Sequence, residues 1–292
     1  VKKKVLFIIN PIAGVKRKDK LPRLIDAALD HVQYTYDIVY TEHRGHATEI
    51  TERAIKDGVE VVAVAGGDGS VNEVAMALRG TSVKLAILPY GSGNGLARAL
   101  GNPMKIAEAV RLINTGKVRA VDTAKVNDHV FFSLIGIGFD AFAVKVFDRE
   151  EARGFLAYAW AAIRSLSAYQ SYSFVMDCDG VEYNGAAFLI NICNSDQYGY
   201  NVRIAPFAEP DDGLLDVVLV RDLPKWKAVW LVFLVLMNKH HNSRMLEFIK
   251  ARKVHLQTSR HAYMQVDGET MHKDKQFDVQ ICIEQLQVLV KP

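Results

Sequence analysis

The order of apolar runs along the chain predicts the fold class α/β plus β: an N-terminal α/β domain followed by a β-rich domain. Three observations carry this. Over the first ~120 residues, short apolar runs alternate with helix-period patterns, the rhythm of a parallel sheet with crossover helices. After Asp122 the pattern changes to short alternating segments broken by turns such as Asp179-Gly180, Pro210-Asp211-Asp212-Gly213 and Asp267-Gly268, which predicts antiparallel pairing. With 292 residues, 50% of them hydrophobic and 24% charged, the chain is long enough to bury two cores.

The elements follow in order. Val5–Ile9 is an unbroken apolar run after Lys2, Lys3 and Lys4. It is too short for a signal peptide and runs straight into a turn, so it reads as a first strand. Leu21–Leu29 has helical spacing, Tyr34–Tyr40 alternates as a strand, and His46–Lys56 is helical. Val61–Ala65, Val71–Leu78, Leu85–Pro89 and Ile106–Asn114 continue the rhythm. In the second half, residues 121–140, 172–193, 201–221 and 252–290 read as β, and Gly154–Tyr169 and Leu223–Asn238 as helices. Neither helix can span a bilayer, because Val229–Met237 falls far below the roughly 20 apolar residues required and Gly154–Tyr169 carries Arg164 and serines. Trp226, Trp230, Phe233 and Leu234 fit either core packing or a greasy rim that touches lipid. The change of period divides the chain into domains 1–122 and 123–292, with a return of the last strand to the first domain left open.

Composition narrows the partners. A net charge of +3 lacks the concentrated basic surplus of a nucleic-acid binder, so no nucleic acid is expected, while contact with an anionic membrane is permitted. Cys178, Cys193 and Cys282 are scattered and odd in number, which predicts neither a disulfide framework nor a zinc site and fits a reducing cytoplasm.

In open parallel sheets, ligands sit beyond the carboxyl ends of the strands. Four loops fall there: Asn10-Pro11-Ile12-Ala13-Gly14 with Lys16-Arg17-Lys18 after it, Thr41 to Ala47, Gly66 to Ser70, and Pro89 to Gly95. Gly66-Gly67-Asp68-Gly69-Ser70 is the most telling, since bare backbone amides at a helix N-terminus suit phosphate. Asp68 would repel phosphates unless a cation or proton intervenes, which suggests magnesium-bound nucleotide or work on a hydroxyl. The alternative is an aspartate that caps Val71–Leu78. The Lys16-Arg17-Lys18 run faces phosphate or an acidic membrane, or is a solvated loop. His43 and His46 lack the spacing of a metal site and read as packing or capping residues.

The succession of Asn10-Pro11-x-x-Gly14, Thr41 with Gly45-His46-Ala47, Gly66-Gly67-Asp68-Gly69-Ser70 with Asn72-Glu73, and Gly91-Ser92-Gly93-Asn94 with Ala97-Arg98 continues through three later motifs. These are Gly136-Ile137-Gly138-Phe139-Asp140-Ala141, Pro206-x-Ala208-x-x-x-Asp212-Gly213-x-Leu215-Asp216, and Asp267-Gly268-Glu269. Together they resemble the lipid kinases with a diacylglycerol-kinase catalytic domain, a group that takes in bacterial diacylglycerol kinases and sphingosine and ceramide kinases. The resemblance covers nearly the whole chain. It implies an NAD-kinase-like (6-phosphofructokinase-like) α/β domain followed by a β-sandwich domain, with the active site in the cleft between them. It also implies transfer of the γ-phosphoryl group of ATP, with Mg2+, to a lipid hydroxyl.

By the same resemblance Asn10, Thr41, Gly66, Gly67, Asp68, Gly69, Ser70, Asn72, Gly91, Ser92 and Asn94 match ATP-contacting loops, with Ser92 where many relatives have Thr. Glu73 orients its loop or a magnesium-bound water, or pairs with its own helix dipole. Asp267 matches the aspartate that takes the proton of the lipid hydroxyl, with Glu269 as support. Glu209, Asp212 and Leu214 match a loop that binds a structural magnesium in bacterial relatives; an acidic turn without metal is the alternative.

Departures limit the substrate. Asn94-Gly95-Leu96-Ala97-Arg98 stands where many bacterial relatives have Asn-Asp-Phe-Ala-Arg, and Gly199-Tyr200-Asn201 replaces a glycine triplet. Diacylglycerol is the leading substrate, followed by a sphingoid or ceramide-like lipid, an NAD-kinase-like acceptor, and a non-catalytic nucleotide-responsive lipid binder. The expected setting is cytoplasmic and peripheral to the inner membrane face. Self-association into a homodimer is left open.

Overall fold

The computed structural model describes residues 2–14, 19–148 and 155–292; Lys16-Arg17-Lys18 and Gly154 lie outside them. The chain divides into two compact units, residues 1–123 with 283–292, and residues 124–282.

The first unit runs β1 (Lys3–Ile9), α1 (Leu21–Ala28), β2 (Tyr34–Tyr40), α2 (His46–Lys56), β3 (Val61–Gly66), α3 (Asp68–Leu78), β4 (Lys84–Pro89), α4 (Gly95–Ala99), α5 (Ile106–Thr115) and β5 (Lys117–Val121). Its six-stranded sheet has the order β2-β1-β3-β4, then Leu286–Val290, then β5. All neighbours are parallel except the last pair. The sheet interior is aliphatic: β3 is buried along its whole length, as befits a central strand covered on both faces. Register decides where the loops emerge. Ile9 lies opposite both Tyr40 and Ala65, and Gly66 opposite Pro89, so four strands end level and deliver their following loops to one rim.

Two details differ from the sequence expectation. Helix α3 starts at Asp68 rather than Val71, so only Gly67, in extended conformation (φ −94°, ψ −172°), separates it from β3. The expected five-residue loop is a one-residue hinge followed at once by a helical turn. Helix α4 was not anticipated either, because Gly95 and Asn94 are poor helix formers that read as loop residues.

The second unit contains β6 (Ala124–Val126), β7 (His129–Phe131), β8 (Leu134–Gly138), α6 (Phe139–Asp148), α7 (Phe155–Ala168), β9 (Tyr172–Cys178), β10 (Val181–Cys193), β11 (Gln197–Gly199), β12 (Val202–Arg203), β13 (Leu215–Arg221), α8 (Lys225–Leu236), a 3-10 turn (His240–Asn242), β14 (Leu246–Ala251), β15 (Lys253–Ala262), β16 (Met264–Val266), β17 (Glu269–Thr270) and β18 (Asp274–Ile281). Leu286–Val290 is then β19 in chain order, and it belongs to the first unit. The large sheet follows β17-β16-β8-β10-β9-β15-β18-β6-β7, with β13 and β14 branching from β10.

Ile135 and Met264 from one end of that path share a core with Phe277, Val279 and Val126 from the other. The sheet therefore folds over on itself and encloses a sandwich-like interior. The alternation in β15, where Val254, Leu256 and Thr258 are buried between exposed neighbours, is the period expected of a sheet with one wet face. A second core carries the helices on the outer face, with Phe139, Ala162, Leu166, Ala228 and Leu231 against Phe188, Val218 and Val220. Asp179 (φ +50°) and Gly180 (φ +90°) make the left-handed pair that a tight hairpin between β9 and β10 requires.

Candidate functional site

Helix α3 organises the rim of the first unit. The Asp68 carboxylate accepts the amides of Asn94 at 2.9 Å and Gly95 at 2.6 Å, and so caps α4. Glu73 accepts the amides of Gly45 at 2.9 Å and Ala47 at 3.2 Å and caps α2, while Thr48 Oγ1 donates to the Glu73 carbonyl. Asn10 Nδ2 donates to Ser70 Oγ at 2.9 Å, tying the loop after β1 to the same helix. Thr41 is buried and held through its amide by the Ile9 carbonyl. Three loops thus hang on three side chains of one helical segment.

These contacts give two of the expected residues a further role. Asp68 holds the next helix along, with Arg98 as a nearby cation, and its carboxylate also accepts its own amide. Glu73 holds the neighbouring loop before α2. Asp68 keeps solvent contact, yet its carboxylate is enclosed by the loops, and that burial pushes its pKa up against the lowering pull of the Gly95 and Asn94 amides.

The residue before α3, Gly67, has no side chain with which to cap it. Its first turn, Asp68-Gly69-Ser70, presents amides at the positive end of the helix dipole. The glycines have separate reasons. Gly67 and Gly91 pack backbone to backbone: a Cβ on Gly91 would lie 2.5 Å from Gly67 Cα. Gly66 faces Ser70 Cβ, and Gly14 (φ +65°) faces the Tyr90 carbonyl, where a Cβ would come within 1.8 Å. Gly69 alone in this loop meets nothing within 4 Å, so its bare backbone borders open space. Asn94 Nδ2 donates to the Gly91 carbonyl at 2.7 Å, closing the second glycine loop, whereas Ser92 is exposed and Asn72 half-buried.

The second unit holds Asp267. It sits between β16 and β17 with φ +47°, the left-handed region in which aspartate is tolerated. Its carboxylate accepts three consecutive amides, Phe132 at 2.9 Å, Ser133 at 2.9 Å and Leu134 at 3.0 Å, and its own amide donates to the Leu134 carbonyl. From the other side Asn194 Nδ2 donates to the Phe132 carbonyl, and the amides of Asn194 and Ser195 donate to Ser133. Gln265 is buried next to this turn, accepting the Gly268 amide at 2.8 Å and donating to Asp140 Oδ2 at 3.0 Å. Asp140 is itself buried, tucked against Gly136, where a Cβ would stand 1.7 Å from Asp140 Oδ2. Glu269 is exposed at the start of β17.

A cavity in the same unit is lined by Phe142, Tyr169, Tyr172, Arg260, Tyr263 and Lys273. The Tyr169 hydroxyl is buried without a hydrogen-bond partner among the described residues, and burial raises its pKa. Tyr263 lies under Lys273 and near Lys145; hydrogen bonding to Lys273 lowers its pKa first, ahead of the Lys145 contributions.

Glu209, Asp212 and Leu214 come together in the turn before β13, and Lys250 joins them. Leu214 donates its amide to Asp212 Oδ1 at 3.0 Å, while Lys250 Nζ reaches Asp212 Oδ2 at 2.7 Å and buried Asp216 Oδ2 at 3.3 Å. Burial raises the Asp216 pKa, opposed by Lys250. As arranged, the donor set does not fit a divalent cation, because the loop carries its own ammonium between the two acids. His43, His46 and Glu49 also approach one another. His46 Nδ1 accepts the Glu42 amide, so the neutral ring carries its proton on Nε2, and metal ligation there would forfeit that bond.

Sequence reasoning did not single out Asp140, Asn194, Gln265 or Lys250. Asp140 stood in a quoted motif, and its burial was the missing cue; Asn194 and Lys250 are far in sequence from the residues they touch, as Gln265 is from Asp140.

Comparison with known proteins gives a consistent picture. Residues 4–126 match the diacylglycerol kinase catalytic domain, and residues 133–290 match the YegS C-terminal NAD kinase beta sandwich-like domain. A Synechocystis protein is 30% identical over 232 residues, 73% of this chain and 52% of the relative, so the chain spans about half the length of that relative. A Bacillus subtilis diacylglycerol kinase is 25% identical over 272 residues, covering 91% of this chain and 90% of that protein. The crystal structure of a diacylglycerol kinase from Bacillus anthracis superimposes with a TM-score of 0.75 at 24% identity, covering 99% of this chain and 97% of that one, which supports the fold. Two successive domain matches, in the order and with the folds described above, establish that this chain belongs to the lipid kinase family that joins a diacylglycerol kinase catalytic domain to a YegS-type C-terminal domain.

Proposed function

We propose that the protein transfers the γ-phosphoryl group of ATP to a hydroxyl of a lipid, with diacylglycerol as the first substrate to test. The observation that carries this reading is the rim of the first unit. Its central helix lends Asp68 and Glu73 to neighbouring helices and leaves its own first turn, with open Gly69, for a phosphate group. Asn10, Thr41, Gly66, Gly67, Ser70, Asn72, Gly91, Ser92 and Asn94 shape the nucleotide-binding loops around that turn.

Asp267 is assigned as proton acceptor for the lipid hydroxyl. An alcohol is a weak nucleophile, and a fixed carboxylate that takes its proton in the transition state contributes about 10^2–10^4-fold. The three amides from Phe132 to Leu134 hold one orientation of that carboxylate, and Gln265 with Asp140 holds the turn beneath it. Glu269 borders the same turn and supports it. A magnesium ion brought with the triphosphate would supply charge neutralisation at the transferred phosphate. The 209–216 loop is assigned a bracing role with Lys250 as its cation. The protein is read as peripheral to a membrane, where its acceptor resides.

Transfer of labelled phosphate from ATP to a panel of diacylglycerol, sphingoid bases, ceramide and NAD tests the assignment. Diacylglycerol should be the labelled product. Asp267→Asn, which keeps an acceptor oxygen for the amides, should lose turnover by about 10^2–10^4-fold while nucleotide affinity is kept. Undiminished turnover would remove Asp267 from the chemistry, and labelling of NAD alone would overturn the lipid reading.

A further inference from the structure

All three tryptophans of the chain lie at the surface of two adjoining helices: Trp160 on α7 is 63% exposed, and Trp226 and Trp230 on α8 are 69% and 52% exposed. Helix α8 is apolar at every position except Lys225 and Lys227, a pattern that ordinarily means burial on all sides. Only Ala228 and Leu231 are buried. Trp226, Val229, Trp230, Phe233 and Met237 recur at helical spacing and form an exposed stripe, with the rings of Trp230 and Phe233 stacked at 5.3 Å. Ile163 on α7 is also exposed, at 38%.

The charge on the two helices has one sign. Neither α7 nor α8 contains an acidic residue, and Lys225, Lys227 and Lys239 are exposed at the two ends of α8, with Asp222 the one acid beside the start of α8. Lys225 Nζ donates to the Ser167 carbonyl at 2.8 Å, which pins the start of α8 to the end of α7, and Lys227 lies 5.4 Å over the Trp226 ring.

We propose that this face docks on the surface of an anionic lipid bilayer, with the tryptophans at headgroup depth and the lysines against lipid phosphates. The inference rests on the lipid-kinase reading and names the surface through which such an enzyme would reach its acceptor. Indole rings favour the membrane–water boundary, and flanking lysines add attraction to anionic lipid. Helix α8 is about 18 Å long against a hydrocarbon core of about 30 Å, so it lies in the interface rather than crossing it. A second copy of the chain is the poorer occupant, because an antiparallel two-fold contact along α8 would set Lys225 and Lys227 of each copy towards Lys239 of the other.

The full chain mixed with vesicles of phosphatidylglycerol and phosphatidylcholine should co-sediment and show a blue shift of tryptophan emission, with weaker binding to phosphatidylcholine alone and at high salt. Trp226→Ser/Trp230→Ser/Phe233→Ser should lower the vesicle-bound fraction at least about tenfold. Lys225→Glu/Lys227→Glu should abolish the preference for anionic vesicles, and this second variant serves if the first fails to fold. Vesicle binding needs no turnover, so it separates this surface from the assigned chemistry: phosphorylation of a short-chain, monomeric lipid should be unchanged in both variants. Vesicle binding that survives both variants, or self-association without lipid that the aromatic variant abolishes, overturns the proposal.

Discussion

The Asp68 carboxylate accepts the Gly95 amide at 2.6 Å, so the first residue of one helix caps the next helix across two glycine loops. An acid in a glycine-rich loop is thereby spent on the geometry of the neighbouring loop. Asp68→Ala should destabilise the protein by about 1–2 kcal/mol, the worth of an N-cap, and weaken nucleotide binding. Asp68→Asn, with one acceptor left, should fall between. Urea unfolding and nucleotide titration read both effects.

Glu73 holds the loop before α2 through two amides. Glu73→Ala should expose the Gly45 and Ala47 amides to faster hydrogen exchange while amides of β3 stay protected. Equal exchange in parent and variant would show that the loop is held otherwise.

Gly136→Ala would drive a methyl group to 1.7 Å from Asp140 Oδ2. Overpacking of this kind costs about 1–3 kcal/mol, and here it also displaces the Gln265 turn that carries Asp267. Asp140→Gly in the same chain should recover only part of the stability, since the methyl still meets Gln265 Nε2 at 2.8 Å, and should not recover turnover.

Lys250 joins Asp212 to buried Asp216. Lys250→Met should cost about 1–2 kcal/mol at neutral pH, a figure held down by the partial exposure of Lys250. Millimolar Mg2+ should restore part of that loss in the variant and leave the parent melting curve unmoved. A parent stabilised by Mg2+ without nucleotide would overturn the assignment of Lys250 as the resident cation.

His240 is buried, with its Nε2 bonded to the Ile204 carbonyl at 3.1 Å and its Nδ1 without a partner among the described residues. Burial lowers its pKa from 6.5. The unfolded chain then binds the proton more tightly, so this contribution to stability is complete above pH 6.5 and is lost as pH falls toward the lowered folded value. The melting temperature should decline as pH is lowered below 6.5, and His240→Gln should flatten that part of the profile.

The parallel sheet was legible because Val5–Ile9, Val61–Ala65 and Leu85–Pro89 are unbroken apolar runs with helical spacers between them. That these strands end level, and so gather their loops on one rim, follows from the general behaviour of such sheets. The cross-capping was not legible. Asp68 and Gly95 are 27 positions apart, as the loop lengths and the register of β3 against β4 decide. The aromatic side chains of α8 were ambiguous for a physical reason: a uniformly apolar helix gives no periodic hint of which side stays uncovered. Lys250 escaped notice because an exposed lysine in a strand looks like any solvated one.

Strand β5 has β19 as its only partner in the sheet, and β19 is separated from it by the whole of residues 124–282. During synthesis on the ribosome, β1, β3 and β4 can associate early, but the far edge of the same layer must wait for residues 283–292. The glycine-rich loops after β3 and β4 therefore belong to the part that assembles first. A chain stalled before β19 would display an unpaired edge on β4, open to invasion by a foreign strand until the last segment slides home.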